Sequence, residues 1–139
     1  MTTPARVAIV AADYNKAIVD PMIAEAEKVA AEFGATTTVT RIPGCYEMPI
    51  ICNALLESGQ VDVIVAIGYI ERGHTMHGEV MGNVVHDALV RLQLQYRCPV
   101  GIGIIGPGAT LEQAQERNVP YARAAVEAAL KIRNIIAAL

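Results

Sequence analysis

The turn formed by residues 69–77 holds several side chains suited to chemistry, and it lies between an apolar run and an amphipathic stretch. His77, at the expected start of a helix, could transfer protons near neutral pH, although a hydrogen-bonded loop histidine would fit the same position. Backbone N–H groups at a helix start, beside His74 and the Thr75 hydroxyl, could bind an anion. A helix cap would need only Thr75, and Arg72 could add charge to the anion site or lie in solvent. The turn therefore offers a proton-transfer group and an anion site in one place.

Further candidate residues follow other apolar runs of the chain. Tyr14 could stack on a flat heterocycle or simply cover the core. Glu47, after a Pro-Gly turn, could accept hydrogen bonds from amide or sugar hydroxyl groups, or be an acid that favours the first turn of a helix. Arg117 could bind a phosphate through two parallel hydrogen bonds, or be a solvated surface arginine. Tyr14 and Glu47 share with His77 a position at the carboxyl end of a predicted strand.

Short apolar or β-branched runs predict strands that alternate with amphipathic helices. Pro21, after an aspartate that suits the N-cap, is expected to open the first helix. Thr110 and Gln113 form a capping box, which predicts a short helix, and a separate last helix is expected from Pro120. The Gly-Pro-Gly segment at 106–108 is expected to end the last strand. The predicted strands are residues 6–12, 36–42, 61–68 and 99–105, and the longer predicted helices are residues 20–33, 47–58, 77–96 and 120–138.

This alternation demands a parallel sheet with right-handed crossovers, so residues 1–139 are expected to form a single α/β domain. We expect a flavodoxin-like three-layer sandwich, in which a four-stranded parallel sheet of order 2-1-3-4 carries helices on both faces. In that order the turns 13–15, 43–47 and 69–77 converge at the carboxyl edge of the sheet, where open α/β sheets bind ligands. The candidate residues are therefore expected to form one site.

The composition supports a well-packed α/β domain and argues against several classes of protein. Hydrophobic residues make up 53% of the chain, aromatic residues 4% and charged residues 18%, so Ala, Val, Ile and Leu must form the core. The net charge of −3 argues against nonspecific nucleic-acid binding. No apolar run reaches membrane-spanning length, and residues 1–4 do not resemble a secretion signal. We therefore expect a cytoplasmic protein that binds neither nucleic acid nor membranes.

The cysteines, Cys45, Cys52 and Cys98, are scattered and form no CxxC pair. Such a set fits reduced thiols, and its spacing relative to the histidines does not resemble a metal site. The chain also lacks the Walker lysine and the GxGxxG pattern, so the residues indicate neither a metal nor a nucleotide cofactor. The high apolar fraction fits either a well-covered parallel sheet or apolar subunit interfaces.

Taken together, the turns resemble those of the lumazine synthase family, and the resemblance covers nearly the whole chain. The first apolar run and the Tyr14-Asn15 pair resemble the family's first strand and its aromatic-Asn turn. Three longer segments resemble family motifs: residues 42–49 (IPGCYEMP) resemble V-P-G-A-[FY]-E-[IL]-P, residues 68–77 (GYIERGHTMH) resemble G-x-V-I-x-G-x-T-x-H, and residues 111–117 (LEQAQER) resemble E-Q-A-x-E-R. Residues 106–110 are closer to the archaeal branch of the family. Several motifs in the right order make the match specific.

The resemblance implies a cofactor-free enzyme of riboflavin biosynthesis, which condenses 5-amino-6-(D-ribitylamino)uracil with 3,4-dihydroxy-2-butanone 4-phosphate to 6,7-dimethyl-8-ribityllumazine. It implies that Tyr14 stacks on the pyrimidine, that His77 transfers protons, and that Ile102 lines the pyrimidine site from a neighbouring subunit. The remaining implied contacts are Cys45, Tyr46 and Glu47 with the ribityl chain, the main chain of Tyr69, Ile70 and Glu71 with the pyrimidine edge, and His74, Thr75 and Arg117 with the phosphate.

Some residues depart from the usual family pattern. Tyr14 replaces a phenylalanine, Ile102 replaces a frequent phenylalanine at the subunit boundary, and Arg123 is the nearest match to a common lysine and keeps its charge. Glu71 stands where an apolar residue is usual and brings a charge near the pyrimidine. If only the main chain binds there, its side chain can point outward. His74, where an acid or an alanine is usual, would bring positive charge beside the phosphate.

Two alternatives to a lumazine synthase stay open from the sequence. A related archaeal riboflavin synthase would dismutate two lumazines, although its turns differ from residues 73–77. A noncatalytic paralogue that binds lumazine or flavin would keep the assembly and lose turnover. The family assembles as homopentamers, and some members pack these into an icosahedral capsid, a 60-mer, so the resemblance implies self-association into at least a pentamer.

Overall fold

The computed structural model describes residues 3–139, and within this range strands alternate with helices from start to end. The elements are β1 (Arg6–Ala12), α1 (Lys16–Glu32), β2 (Thr36–Ile42), a turn of 3-10 helix (Cys45–Glu47), α2 (Met48–Ser58), β3 (Val63–Glu71), α3 (His77–Tyr96), β4 (Val100–Ala109) and α4 (Leu111–Ala138). In the described range the four strands form one parallel sheet in the order β2-β1-β3-β4. The predicted flavodoxin-like α/β fold and its strand order are confirmed.

Helices cover both faces of the sheet, and the central strands β1 and β3 are almost completely buried. Alternate residues of a strand point to opposite faces. Val7 and Ile9 therefore join the core beneath α1 and α4, whereas Ala8 and Val10 join the core beneath α2 and α3. Burial of one valine or isoleucine side chain contributes about 1.5–3 kcal/mol, so the two apolar layers hold the strand ends in fixed positions.

The first helix begins at Lys16 and not at Asp20, so the predicted cap is wrong. Asn15 adopts the left-handed conformation with a φ of 61° and starts the helix, and its carbonyl oxygen accepts a hydrogen bond from the N–H group of Ile18 at 3.0 Å. Ile18 is buried in the core. Burial of this early turn outweighs the preference of Pro21 for the first position of a helix. Pro21 therefore lies inside α1, where it removes one backbone donor.

The predicted short helix and the predicted last helix are one continuous helix, α4, with Pro120 inside it. The predicted capping box is present: the Thr110 hydroxyl accepts from the Gln113 N–H group at 3.2 Å, and the Gln113 side chain accepts from the Thr110 N–H group at 3.0 Å. Proline disfavours a helix interior by about 3 kcal/mol. Burial of Ala114 before Pro120 and of Ala122 after it keeps both parts of the helix on the sheet.

The strands β3 and β4 continue further than predicted at their carboxyl ends. β3 begins at Val63 instead of 61 and passes its predicted end at Gly68 to reach Glu71. β4 runs through the Gly-Pro-Gly segment at 106–108 to Ala109, with an irregular register against β3. Turn chemistry predicted a stop at both places, but β3 pairs with β4 at Tyr69 and Ile105 and again at Glu71 and Ala109. As a result, Glu71 stands at the end of a paired strand and not in a loop.

The described range contains neither a membrane-crossing helix nor a metal-binding cluster. Each helix of residues 3–139 falls short of the length or the apolar character that a bilayer span needs. Within the same residues, His, Cys, Asp and Glu side chains form no group of three or more that could hold a metal ion. The thiols there are unpaired. Burial raises the pKa of Cys98 to about 11 and that of Cys52 to about 12, so both stay protonated near neutral pH.

Candidate active site

A cavity of about 480 Å³ lies at the carboxyl ends of β1, β2 and β3. Its size is within the range of small-molecule sites, roughly 300–1,000 Å³. The three turns that were predicted to converge supply its walls. The predicted site residues that line it are Tyr14, Cys45, Tyr46, Glu47, Tyr69, Ile70, Glu71, Thr75 and His77.

The turn between β2 and α2 forms one wall of the cavity. Cys45 is buried within it, and its Sγ atom occupies the space that a side chain at Gly68 would need, since an added Cβ would lie 2.7 Å from that sulfur. Burial raises the pKa of the Cys45 thiol to about 11, and the charge of Glu47 adds to the effect. The thiol is therefore a neutral packing group near neutral pH. Tyr46 and Glu47 are exposed and form the outer part of this wall.

His77 is the first residue of α3, as predicted, and neighbouring groups fix its position. Its ring meets the ring of Tyr46 edge-on, with centroids 5.9 Å apart and planes at 64°. Its backbone N–H donates to the Thr75 hydroxyl at 3.3 Å. Gly78 lets the helix start lie close to β3, because an added Cβ would be 3.0 Å from the carbonyl oxygen of Glu71. Thr75 thus helps to cap the helix, and its hydroxyl keeps a hydrogen with which to bind an anion.

The side chains of Tyr69 and Ile70 are directed into the core. The Tyr69 hydroxyl donates to the carbonyl oxygen of Ala109 at 3.1 Å, and its ring is only 2% exposed. Ile70 belongs to the apolar core beneath α2 and α3. With both side chains committed to packing, the main chain is what these residues offer to a ligand in the cavity.

Tyr14 and Glu71 are joined at the cavity wall by a hydrogen bond. The Tyr14 hydroxyl donates to the Oε2 atom of Glu71 at 2.7 Å. This bond, together with the negative charge of the carboxylate, raises the pKa of Tyr14 above its ordinary value, so the hydroxyl remains a donor throughout the neutral range. The Glu71 side chain therefore reaches the aromatic residue of the site, whereas the sequence left open that it points outward.

A second cavity, of about 440 Å³, adjoins the first through shared residues. Glu71 and Thr75 line both cavities. The second cavity is also lined by the charged residues Arg72 and Glu79, and by Asn83. Its lining thus combines one cation with two carboxylates, which is an unfavourable balance for an anion unless a further cation approaches. Two small ligands could lie side by side in these cavities.

Three predicted site residues on other parts of the protomer lie outside the lining of both cavities. His74 is exposed in the same turn as Thr75. Asn15 provides the left-handed start of α1 beside Tyr14. Ile102 is half-buried on β4 and packs against the core beneath α2 and α3.

The two arginines that were predicted to belong to the site, Arg117 and Arg123, lie on α4 and are also outside the linings of both cavities. Arg117 is exposed. Arg123 joins α4 to α1, because its Nε atom donates to Glu25 at 2.8 Å and its terminal nitrogens donate to Glu32 at 3.2 and 3.3 Å. These hydrogen bonds raise the pKa of Arg123. Within the described protomer, Arg123 therefore has a structural role between two helices.

Several residues that line the cavities were not identified from the sequence. Met81 lies one helical turn after His77, and Asn83 lies one helical turn after Glu79. The spacing i to i+4 places each pair on one side of α3. Once His77 was predicted at the start of a helix, this spacing was the available signal for Met81, although it fits an ordinary core residue equally well.

The arrangement offers space for two small substrates, and the first cavity suits a flat one. The first cavity offers an aromatic ring, main-chain groups and an imidazole, and the second offers polar side chains and a threonine hydroxyl. Two bound reactants side by side gain from proximity, and the His77 imidazole can move protons between them.

Comparison with known proteins agrees with this geometry. The family model of 6,7-dimethyl-8-ribityllumazine synthase matches residues 4–137. Similar proteins of that name include one from Staphylothermus marinus, 43% identical over 131 residues that cover 94% of this chain and 87% of the relative. Others are from Metallosphaera sedula, 39% identical with 91% and 85% covered, and from Pyrobaculum arsenaticum, 35% identical with 91% and 85% covered. With a family model that spans nearly its whole length and relatives at these identities, the chain belongs to the 6,7-dimethyl-8-ribityllumazine synthase family.

Proposed function

We propose that the chain condenses 5-amino-6-(D-ribitylamino)uracil with 3,4-dihydroxy-2-butanone 4-phosphate to give 6,7-dimethyl-8-ribityllumazine, the penultimate step of riboflavin biosynthesis. The amine of the uracil attacks the ketone, and loss of water gives an imine. Proton removal then expels inorganic phosphate, and the ribitylamino nitrogen closes the ring with loss of a second water. The scheme requires neither a metal nor a redox cofactor.

The observation that carries this proposal is that three of the four family-like segments meet around one cavity. Residues from the turns after β1, β2 and β3 all line it, with His77 at its wall. In this assignment Tyr14 stacks on the pyrimidine, the turn at 45–47 holds the ribityl chain, and the main chain at 69–71 meets the pyrimidine edge. His77 moves the protons that the imine and ring-closure steps require.

The second cavity is assigned to the butanone phosphate. Thr75 and the N–H groups at the start of α3 would hold the phosphate, with His74 beside them. Because Glu71, Arg72 and Glu79 leave this lining with a net negative charge, the phosphate needs another cation. We assign that role to Arg117 of an adjacent protomer.

Most of the catalytic effect is attributed to holding the substrates together. Proximity and orientation can lower a barrier by about 7–11 kcal/mol. Proton transfer by a positioned side chain typically adds about 10²–10⁴-fold. A positioning enzyme of this kind tolerates loss of its proton-transfer group better than loss of a substrate anchor.

Self-association is part of the proposal, because the phosphate site is completed by a neighbour. Ile102 of a neighbouring subunit would also line the pyrimidine site. Exposed apolar side chains on α2 and α3 support such contacts: Ile50 is 71% exposed and Leu94 is 79% exposed. We propose a cytoplasmic homopentamer, which light scattering distinguishes from a decamer or a 60-mer capsid.

The test is a direct assay with both substrates. Purified protein is mixed with the ribitylaminouracil and the butanone phosphate, and lumazine fluorescence and phosphate release are followed against a protein-free control. We expect one phosphate released for each lumazine formed. Lumazine binding without turnover would identify a noncatalytic binding protein, and riboflavin formed from lumazine alone would identify a riboflavin synthase. Either outcome would overturn the proposal.

A further inference from the structure

The segment that carries Tyr14 has a backbone held by contacts on both sides. The N–H group of Asp13 donates to the carbonyl oxygen of Ile42 at 2.7 Å. The Asp13 carboxylate accepts from Arg41 at 2.8 Å. Asn15 then begins α1 in its left-handed conformation. The Cα atom of Tyr14 therefore has a fixed position, and only the side-chain torsions remain to be set.

Packing alone does not set those torsions. The Tyr14 side chain is 52% exposed, so half of its surface meets no neighbour within the protomer. Rotation of a partly exposed ring costs little, and ordering it upon ligand binding costs conformational entropy. The contact that fixes the ring is the 2.7 Å hydrogen bond from its hydroxyl to Glu71. A bond of this length to a carboxylate is of the stronger, charge-assisted kind.

Glu71 is itself anchored by its main chain. It is the last residue of β3 and pairs with Ala109 of β4. Its carbonyl oxygen lies close against Gly78 at the start of α3. A side chain that stands on a paired strand end provides a rigid acceptor, as the preorganisation of a binding site requires.

We infer that Glu71 is a positioning residue, whose carboxylate holds the Tyr14 ring in the orientation that receives the flat heterocyclic substrate. The inference rests on the proposed function and adds to it a role for the Glu71 side chain. A ring that is ordered before the ligand arrives lowers the entropic cost of binding. Loss of the bond should therefore weaken binding of the ribitylaminouracil and leave the chemical step unchanged.

The experiment compares Tyr14→Phe, Glu71→Ala, Glu71→Gln and the Tyr14→Phe/Glu71→Ala double variant. Tyr14→Phe and Glu71→Ala should each raise the KM for the ribitylaminouracil about three- to tenfold, the size expected for one partly exposed hydrogen bond, with kcat within about twofold of the wild type. The double variant should be no worse than either single variant, because both remove the same bond. Glu71→Gln keeps an acceptor oxygen and should restore most of the affinity.

A second readout does not depend on activity. The titration of the Tyr14 phenol is followed by ultraviolet difference spectroscopy and assigned by subtraction of Tyr14→Phe. In Glu71→Ala the pKa of Tyr14 should fall toward its ordinary value, because the hydrogen bond and the negative charge that raise it are both gone. Glu27→Gln removes an exposed carboxylate on α1 and serves as the control for a general charge effect.

The outcomes separate this inference from the proposed function. Additive effects in the double variant would overturn it, because they would mean that Glu71 acts on the ligand without Tyr14. An unchanged pKa of Tyr14 in Glu71→Ala would overturn it by showing that the bond does not form. A wild-type protein that makes no lumazine would overturn the proposed function and the substrate role of Glu71 with it, even where the pKa of Tyr14 falls as expected.

Discussion

At the scale of single residues, His77 is expected to speed the reaction without being essential to it. His77→Ala removes the imidazole and its edge-on contact with the exposed Tyr46 ring, and it leaves the cavity that brings the substrates together. We therefore expect kcat to fall by about 10²-fold or somewhat more, and turnover to persist. Steady-state lumazine formation measures the effect, and circular dichroism verifies the fold.

Arg117→Ala is expected to reduce turnover more than His77→Ala, because a loosened phosphate loses the benefit of proximity. Most of the loss should be seen in kcat/KM for the butanone phosphate. Lys131→Ala is the matched control, since Lys131 is another exposed cation on α4 and contacts Glu127 at 3.9 Å one turn away. An inactive His77→Ala protein beside a normal Arg117→Ala protein would contradict both assignments.

Asp62 makes the stability of the fold depend on pH in the acid range. Its carboxylate accepts from the Arg6 side chain at 3.2 Å and from the Arg6 N–H group at 2.7 Å, which joins the start of β1 to the segment before β3. These bonds lower the pKa of Asp62. A carboxyl group with a lowered folded pKa stabilises the fold above its unfolded pKa of about 3.9, and this contribution is lost as the pH falls through the folded pKa.

Asp62→Asn should therefore lower the free energy of unfolding near neutral pH and differ less from the wild type at strongly acid pH. Urea unfolding at both pH values measures the difference. Asp87→Asn is the control, because Asp87 forms an exposed pair with Arg91 on α3 and such pairs contribute about 0–1 kcal/mol. If the loss of unfolding free energy in Asp62→Asn stayed constant through the acid range, the pH dependence assigned to Asp62 would be wrong.

At the scale of elements, close packing of α4 on β4 depends on Gly101. A Cβ atom added there would lie 2.2 Å from the carbonyl oxygen of Ala125. Gly101→Ala should therefore push α4 from the sheet and lower the free energy of unfolding by about 1–3 kcal/mol or more. Gly103→Ala is the matched control on the same strand, since its nearest contacts would be 3.3 Å away and its loss should be smaller. Urea unfolding that ranks the two variants equally would contradict this account of the contact.

Element type and strand order could be predicted because they follow from patterns that extend over many residues. Alternating apolar strands and amphipathic helices allow few arrangements, and the observed order is the expected one. The residues at which helices and strands begin and end could not be predicted as well as their type and order. Pro21 and Pro120 both lie inside helices, because burial of Ile18 and Ala122 outweighs the local proline preference. The Gly-Pro-Gly segment likewise stays in β4, since pairing with β3 resumes beyond it at Ala109.

The convergence of the site turns could be predicted from strand order, but contacts between their side chains could not. Tyr14 and Glu71 are 57 positions apart, and their hydrogen bond depends on the unpredicted extension of β3 to Glu71. The edge-on contact of Tyr46 with His77 likewise depends on where two separate turns meet. Sequence patterns thus predict which turns share a cavity, whereas the side-chain arrangement requires coordinates.

At the scale of the whole molecule, one protomer supplies only part of the proposed phosphate site. Thr75 and His77 are at the cavities, whereas Arg117 is exposed on α4 outside both linings. The excess of carboxylates in the second cavity is consistent with a missing cation. In a ring of identical subunits, each neighbour can supply the same residue to the next site, so every site in the ring is completed in the same way.

Mixed assemblies of His77→Ala and Arg117→Ala subunits test this sharing. If each site takes His77 from one protomer and Arg117 from the next, co-expression in equal amounts should leave about a quarter of the sites with both native residues, by random assembly around a closed ring. Activity should then rise to about that fraction of the wild-type value, well above the mean of the two separate variants. Mixing the same proteins after they have assembled separately is the control and should recover nothing. If both residues came from one protomer, no mixed site would be complete, and co-expressed activity would equal the mean of the two parents.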